Sequence, residues 1–265
     1  MPVLEAERMV EEIFVEEELM MKDETERMLA ELEQLDLPAD DGIPMESNWH
    51  RIEMNLLIDS VHALWRDRTD FFSGGNMFIY FSLKQVRHKD YRGPDFFVVK
   101  NVDGTRDRES WVVWEEGGRY PNVIVELASH STIKIDMDTK KELYEQVFRT
   151  PEYFCYDPAT KRLHGWRLEH GVYIDLPLNE DERLWSEELQ LWLGQWNGEL
   201  LHTQATWLRL FTPEGELVPT IGEAERERAE TERERACAAE EQLAAEREKA
   251  ERLAAKLREL GVDVD

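Results

Sequence analysis

Asp95, Glu126 and Lys140 have the types and the order along the chain that metal-assisted phosphodiester chemistry needs. Two carboxylates converging from neighbouring strands make an all-oxygen site suited to a hard divalent ion, Mg²⁺ or Mn²⁺. Such an ion polarises a phosphoryl oxygen, activates water and neutralises developing charge. A nearby lysine orients the water or stabilises the pentavalent state electrostatically. In the common form of this arrangement the lysine stands two residues after the second acid. Here that position is Ala128, so the lysine has to come from the next helix.

The stretch from Pro121 to Pro158 has to position two of the three. It reads as a strand, a polar loop, a helix and a second strand. Alternation along Val123–Ala128 sets Val123, Val125 and Leu127 on one face and Ile124, Glu126 and Ala128 on the other. The helix, expected over Asp138–Phe148, carries an apolar stripe at Leu143, Tyr144, Val147 and Phe148. Stepping back along that stripe reaches Lys140, whereas Lys134 and Lys141 suit it less well. A carboxylate in a buried strand and a lysine on an inward helix face each need a partner. A simple buried Glu–Lys ion pair would also satisfy both. Asp95 opens its own strand directly after Gly93-Pro94 and shares a face with Phe97 and Val99; alone, it reads as turn chemistry.

Upstream, residues 1–37 are Glu-rich with a ragged helical pattern, and Leu37-Pro38 breaks it. The globular domain is expected from about Ile43, with Ser47 capping a helix whose buried stripe is Ile52, Leu56, Leu57, Val61 and Leu64. His50 falls near the first turn of that helix. The run Asp70–Ser73 with Gly74-Gly75 reads as the end of the helical region. Strands are expected at Asn76–Ser82, Asp95–Lys100 and Ser110–Glu115, and a hairpin at Arg162–Leu168 and Val172–Leu176. Leu184–Leu210, rich in Leu and Trp, reads as short irregular elements closing the core, its aromatics serving packing more than base stacking. Beyond Gly222 the chain turns to Glu, Arg and Ala. Ala229, Ala236, Leu243, Ala250 and Leu257 recur every seven residues, and Glu232 and Glu246 interrupt the second seam.

The net charge of −26 on 265 residues argues against a broad nucleic-acid surface. Its distribution softens that argument. Residues 1–42 carry 3 basic and 15 acidic side chains, residues 43–220 carry 20 and 29, and residues 221–265 carry 9 and 14. The two cysteines, Cys155 and Cys237, suggest neither a disulfide framework nor a metal-ligand spacing. No signal peptide and no membrane-spanning run is read, which leads to a cytoplasmic expectation.

The chain resembles the Uma-type restriction endonuclease family of bacteria, its cyanobacterial members above all, within the PD-(D/E)xK nuclease superfamily. The residues that carry the likeness are Ser47-Asn48-Trp49-His50, Pro94-Asp95, and Glu126 with Ser129, Ser131 and Thr132. They continue with Asp136, Lys140, Tyr144, Glu152-Tyr153-Phe154 and Asp157-Pro158. The likeness runs over about residues 45–215. His130 stands where the family usually has proline, and Arg149-Thr150-Pro151 replaces the usual Gly-Val. The resemblance implies that Asp95 and Glu126 are metal ligands and Lys140 is the migrated lysine. It also implies that His50 and Tyr144 are neighbouring polar residues and that Asp136 is a loop residue.

The expected architecture is mixed α+β: a restriction-endonuclease-like core, with a central mixed sheet flanked by helices, plus an extended C-terminal helix. Residues 1–42 would form an acidic helical arm, 43–220 the endonuclease-like domain, and 221–265 a charged helix or coiled coil. The expected function is Mg²⁺- or Mn²⁺-dependent hydrolysis of nucleic-acid phosphodiesters, DNA before RNA, by a chain able to form homo-oligomers through its C-terminal helix. The alternative is a non-catalytic scaffold that keeps the nuclease fold and assembles with partners through that helix.

Overall fold

The computed structural model describes residues 27, 30, 47–88, 93–129 and 131–259. The acidic arm (Arg27 and Ala30 apart), the domain boundary near Ile43, His130 and the helix stop at Gly261 lie outside the described residues. Helix α1 (Asn48–Leu64) leads into β1 (Phe71–Gly74), β2 (Ile79–Tyr80), α2 (Leu83–His88), β3 (Phe96–Lys100), β4 (Trp111–Val112) and β5 (Val123–Leu127). Helix α3 alternates α segments (Ile133–Ile135, Lys141–Leu143) with π segments (Asp136–Lys140, Tyr144–Phe148). Then come β6 (Glu152–Asp157), β7 (Arg162–Glu169), β8 (Val172–Asp175), β9 (Leu184–Ser186), β10 (Leu191–Leu200), β11 (Thr203–Phe211) and α4 (Ile221–Glu259).

The main sheet is mixed, in the order β1-β3-β5-β6-β7-β8, with β5 and β6 parallel and its other neighbours antiparallel. Helix α3 is the crossover that the parallel pair requires. Every residue of β5 is buried, and the two faces separate as alternation predicts. Val123, Val125 and Leu127 join Phe96 and Val98 in a core closed by Leu57 and Val61 of α1 and by Leu193, Leu208 and Leu210 of β10 and β11. Ile124 and Ala128 join Phe97, Val99, Tyr153 and Cys155 in a second core, closed by Tyr144 and Phe148 of α3. Glu126 therefore faces α3.

Several expectations are corrected. Phe71–Gly74 is a strand, not the end of the helical region; it pairs with β3, and a Cβ on Gly74 would press on the Phe97 ring. The expected strands at Asn76–Ser82 and Ser110–Glu115 shrink to two-residue segments paired in parallel. The region Leu184–Leu210 is not irregular: β9, β10 and β11 form a three-stranded antiparallel sheet. Trp207 is buried there and stacks on Trp49 of α1 at 6.0 Å between centroids, so it packs. Glu152 ties the two sheets together, accepting from Arg167 Nη2 at 3.0 Å and from the Glu187 N–H at 2.8 Å.

In α1, Ser47 caps the helix as expected, accepting from the His50 N–H. The inward face differs from the apolar stripe: Leu64 is exposed, while His50, Glu53 and Ser60 are buried beside Leu56, Leu57 and Val61. Glu53 Oε2 accepts from the Leu208 N–H at 3.0 Å. Among the described residues, Glu53 Oε1 and the Tyr156 hydroxyl are buried without hydrogen-bond partners. Burial pushes the Glu53 carboxyl well above its ordinary range, against the Leu208 N–H and Arg209, which pull it down. A raised folded-state value means that Glu53 contributes stability fully at acid pH and loses it as pH rises through that value. Glu53→Gln, uncharged throughout, should raise the melting temperature at pH 8 by about 2–4 °C and leave it nearly unchanged at pH 4. Thermal melts followed by circular dichroism across that range test this; an equal effect at both ends would refute it.

Candidate active site

The acids are placed by the end of the β3–β5 ladder. Its last antiparallel pair is Phe96 with Val125, so the next step brings Asp95 opposite Glu126. Both belong to the sheet face of Phe97 and Ile124, under α3. Asp95 Oδ2 accepts from the Leu127 N–H at 2.7 Å, and the Asp95 N–H reaches Glu126 Oε2 at 3.4 Å. Asp95 has the position expected of it, and its hydrogen bond to β5 makes it more than a turn residue.

Helix α3 supplies the rest. Lys140 Nζ lies 2.9 Å from Glu126 Oε2 and 2.9 Å from Asp136 Oδ1, and the Tyr144 hydroxyl donates to Glu126 Oε1 at 2.7 Å. Asp136, Lys140 and Tyr144 are spaced by four residues, a row that would wind away around a regular α-helix. A π turn holds more residues than an α turn, so four-residue steps drift in the opposite sense. Alternating the two keeps the row aimed at Glu126. Lys141 sits over the Trp166 ring at 4.4 Å and Lys134 is exposed, in line with the choice of Lys140. Asp136 is not in a loop: it opens the first π segment, is buried, and gives Lys140 its second carboxylate. Its Asp-x-x-x-Lys spacing was the available signal.

Three carboxylates thus surround one ammonium. Burial raises the Glu126 carboxyl to about 7, with Asp95 adding to the rise while Lys140 and the Tyr144 hydroxyl oppose it. Asp95 is raised first by burial, against Lys140; Asp136 is raised by burial and then by Glu126. Burial alone would lower the Lys140 ammonium, but Glu126, Asp136 and Asp95 outweigh it and hold the ammonium firmly protonated. Tyr144 is pushed up by burial and by Glu126, so it stays a donor. His50 approaches from α1 on the opposite face, with Nε2 3.1 Å from the Leu127 carbonyl and Nδ1 2.8 Å from Ser47 Oγ.

The donor chemistry fits a hard divalent cation. Asp95 and Glu126 offer adjacent carboxylate oxygens in surroundings short of positive charge. Mg²⁺ commonly takes one or two protein carboxylates and keeps much of its water. Among the described residues, no three or more His, Cys, Asp or Glu side chains are grouped so that together they could hold a metal ion. Cys155 and Cys237 are free thiols, and no described helix is long and apolar enough to cross a membrane.

No curated protein matches the chain. Among solved structures it is similar to a "putative nuclease belonging to DUF820" from Anabaena variabilis ATCC 29413, at 15% identity and a TM-score of 0.40, covering 61% of this chain and 89% of that one. Residues 24–203, well over half of the sequence, match a family profile, and the chain accordingly belongs to the Uma2 family, described as "Putative restriction endonuclease".

Proposed function

We propose that the protein is a metal-dependent endonuclease that hydrolyses phosphodiester bonds of DNA at the Asp95–Glu126–Lys140 cluster. The observation that carries this reading is the convergence of two strand carboxylates with a lysine held 2.9 Å from one of them. Asp95 and Glu126 would hold Mg²⁺ or Mn²⁺, which when bound supplies charge neutralisation at a phosphoryl oxygen and activation of water. The ammonium of Lys140 stabilises negative charge developing on the phosphoryl group and orients the attacking water. Asp136 keeps Lys140 charged and aimed, and the Tyr144 hydroxyl fixes Glu126 Oε1 so that Oε2 turns towards Asp95. Family membership supports a nucleic-acid substrate, and the choice of DNA over RNA belongs to this proposal.

We further propose that residues 1–42, 43–220 and 221–265 act as arm, nuclease domain and assembly helix of a cytoplasmic protein. Helix α4 leaves Leu243 of its first heptad seam and Leu253 of the second, interrupted one about half exposed, which supports self-association through it.

Asp95→Ala and Lys140→Ala should each reduce Mg²⁺-dependent cleavage of plasmid DNA by at least about 10²-fold while circular dichroism shows the variants still folded at the assay temperature. Wild-type protein inert on DNA and RNA with either ion would overturn the nuclease assignment. Glu126→Gln should abolish Mn²⁺ binding in a calorimetric titration. The same variant should stabilise the metal-free protein. Glu126 contributes stability that is present at acid pH and lost as pH rises through about 7, so the gain appears at pH 8 and fades at pH 5. A variant less stable than wild type at pH 8 would contradict the surplus of negative charge.

A further inference from the structure

The last residue of β5 has a backbone problem that its neighbours cannot solve. The Ala128 N–H turns towards β6, bonding the Tyr156 carbonyl at 2.8 Å, so the N–H and C=O of Leu127 turn towards β3. Continuing the register past Phe96 and Val125 sets Pro94 opposite Leu127. Proline has no N–H to donate, and the Pro94 carbonyl already accepts from the Asn76 N–H at 2.9 Å. Leu127 is buried, where an unpaired main-chain group is costly. Side chains fill both places. Asp95 Oδ2 takes the N–H at 2.7 Å, and His50 Nε2 lies 3.1 Å from the carbonyl. A carbonyl only accepts, so the proton must sit on Nε2, and Nδ1 faces Ser47 Oγ at 2.8 Å.

We propose that His50 is a positioning residue for the acid-bearing end of β5: it supplies the N–H that Pro94 lacks and so fixes Leu127, the residue that follows Glu126, through its carbonyl. The Pro94-Asp95 pair and His50 form one device. The Pro94 carbonyl, engaged by the Asn76 N–H, leaves the Leu127 N–H to orient Asp95, and His50 closes the Leu127 carbonyl that proline has no N–H to serve. The helix N-terminus capped by Ser47 holds the ring, which ties α1 to the site. The consequence for metal uptake rests on the nuclease reading above; the clamp on Leu127 does not.

Two amide substitutions separate the roles of the ring nitrogens. Gln carries an amide nitrogen at the reach of Nε2, whereas Asn carries one only at the reach of Nδ1. In His50→Asn, the Leu127 amide should exchange with solvent at least about tenfold faster, and Mn²⁺ affinity measured by calorimetry should fall about tenfold. In His50→Gln, both should return to within about threefold of wild type. A packing role alone would lower the melting temperature in step with side-chain volume and would not split the two variants in metal affinity. Equal exchange at Leu127 and equal Mn²⁺ affinity in the two would overturn the proposal. Should wild-type protein take up no Mn²⁺, the nuclease reading fails; exchange at Leu127 then decides the clamp alone, a difference upholding it and equality refuting it.

Discussion

Glu126 sits at 0% exposure in the central strand of the main sheet, and the arrangement around it follows from the cost of keeping a carboxylate there. The rest of β5 is Val, Ile, Val and Leu, residues that suit a strand buried on both faces. An apolar side chain at 126 would spare the chain a desolvation cost that even a good ion pair seldom more than offsets. Lys140 moderates the cost without removing it, since burial still raises Glu126 to about 7. Glu126 therefore makes poor sense as a stabilising residue, and the proposed role as a metal ligand would account for its presence. Its partners are arranged accordingly: one hydroxyl, one ammonium and a second carboxylate, instead of a neutralising cage.

Two irregularities make that arrangement possible, and both are departures from regular secondary structure. The π segments of α3 keep Asp136, Lys140 and Tyr144 in line over the strand, where a regular α-helix would turn one of them aside. The helix then ends on Arg149 in the left-handed conformation that usually falls to glycine, which allows the Thr150 N–H to bond back to the Tyr144 carbonyl at 2.9 Å. At the other side, proline at the head of β3 stops the ladder one pair short. A strand that continued would have spent the Leu127 N–H on a main-chain carbonyl and left Asp95 without its anchor. Local irregularity is used here to aim side chains.

Much of the site could be read from the residues, because its signals are local. Alternation placed Glu126 on the correct face, and helical spacing selected Lys140 over Lys141. The π turns did not spoil that choice, because Lys140 is one step of four from Tyr144. What could not be read depends on contacts made at a distance. Gly74, Gly194 and Gly198 look like breaks, yet each lies within a strand where a Cβ would meet Phe97, Arg183 or the Trp196 ring. Glycine there permits close packing and does not signal a turn. Glu53 and His50 likewise look like ordinary polar residues of an amphipathic helix. Their burial is decided by Leu208 and Leu127, far along the chain, whose main-chain groups they satisfy.

The net charge of −26 bears on the proposed chemistry less through its size than through its placement. Helix α4 has 39 residues, so its far end lies about 58 Å from its start, against a screening length of about 8–10 Å in physiological salt. The 12 acidic and 9 basic side chains spread along it have little hold on an anion at the candidate site. The local balance matters more, and with Asp95, Glu126 and Asp136 around Lys140 it is negative whenever the acids are ionised. A phosphodiester approaching that cluster alone would meet repulsion at short range, where screening does not help. On the proposed function, a divalent ion is then needed for the approach as much as for the chemistry, and it must enter before the substrate or together with it. The buried carboxylate that weakens the metal-free fold is, in that reading, what makes the site wait for a cation.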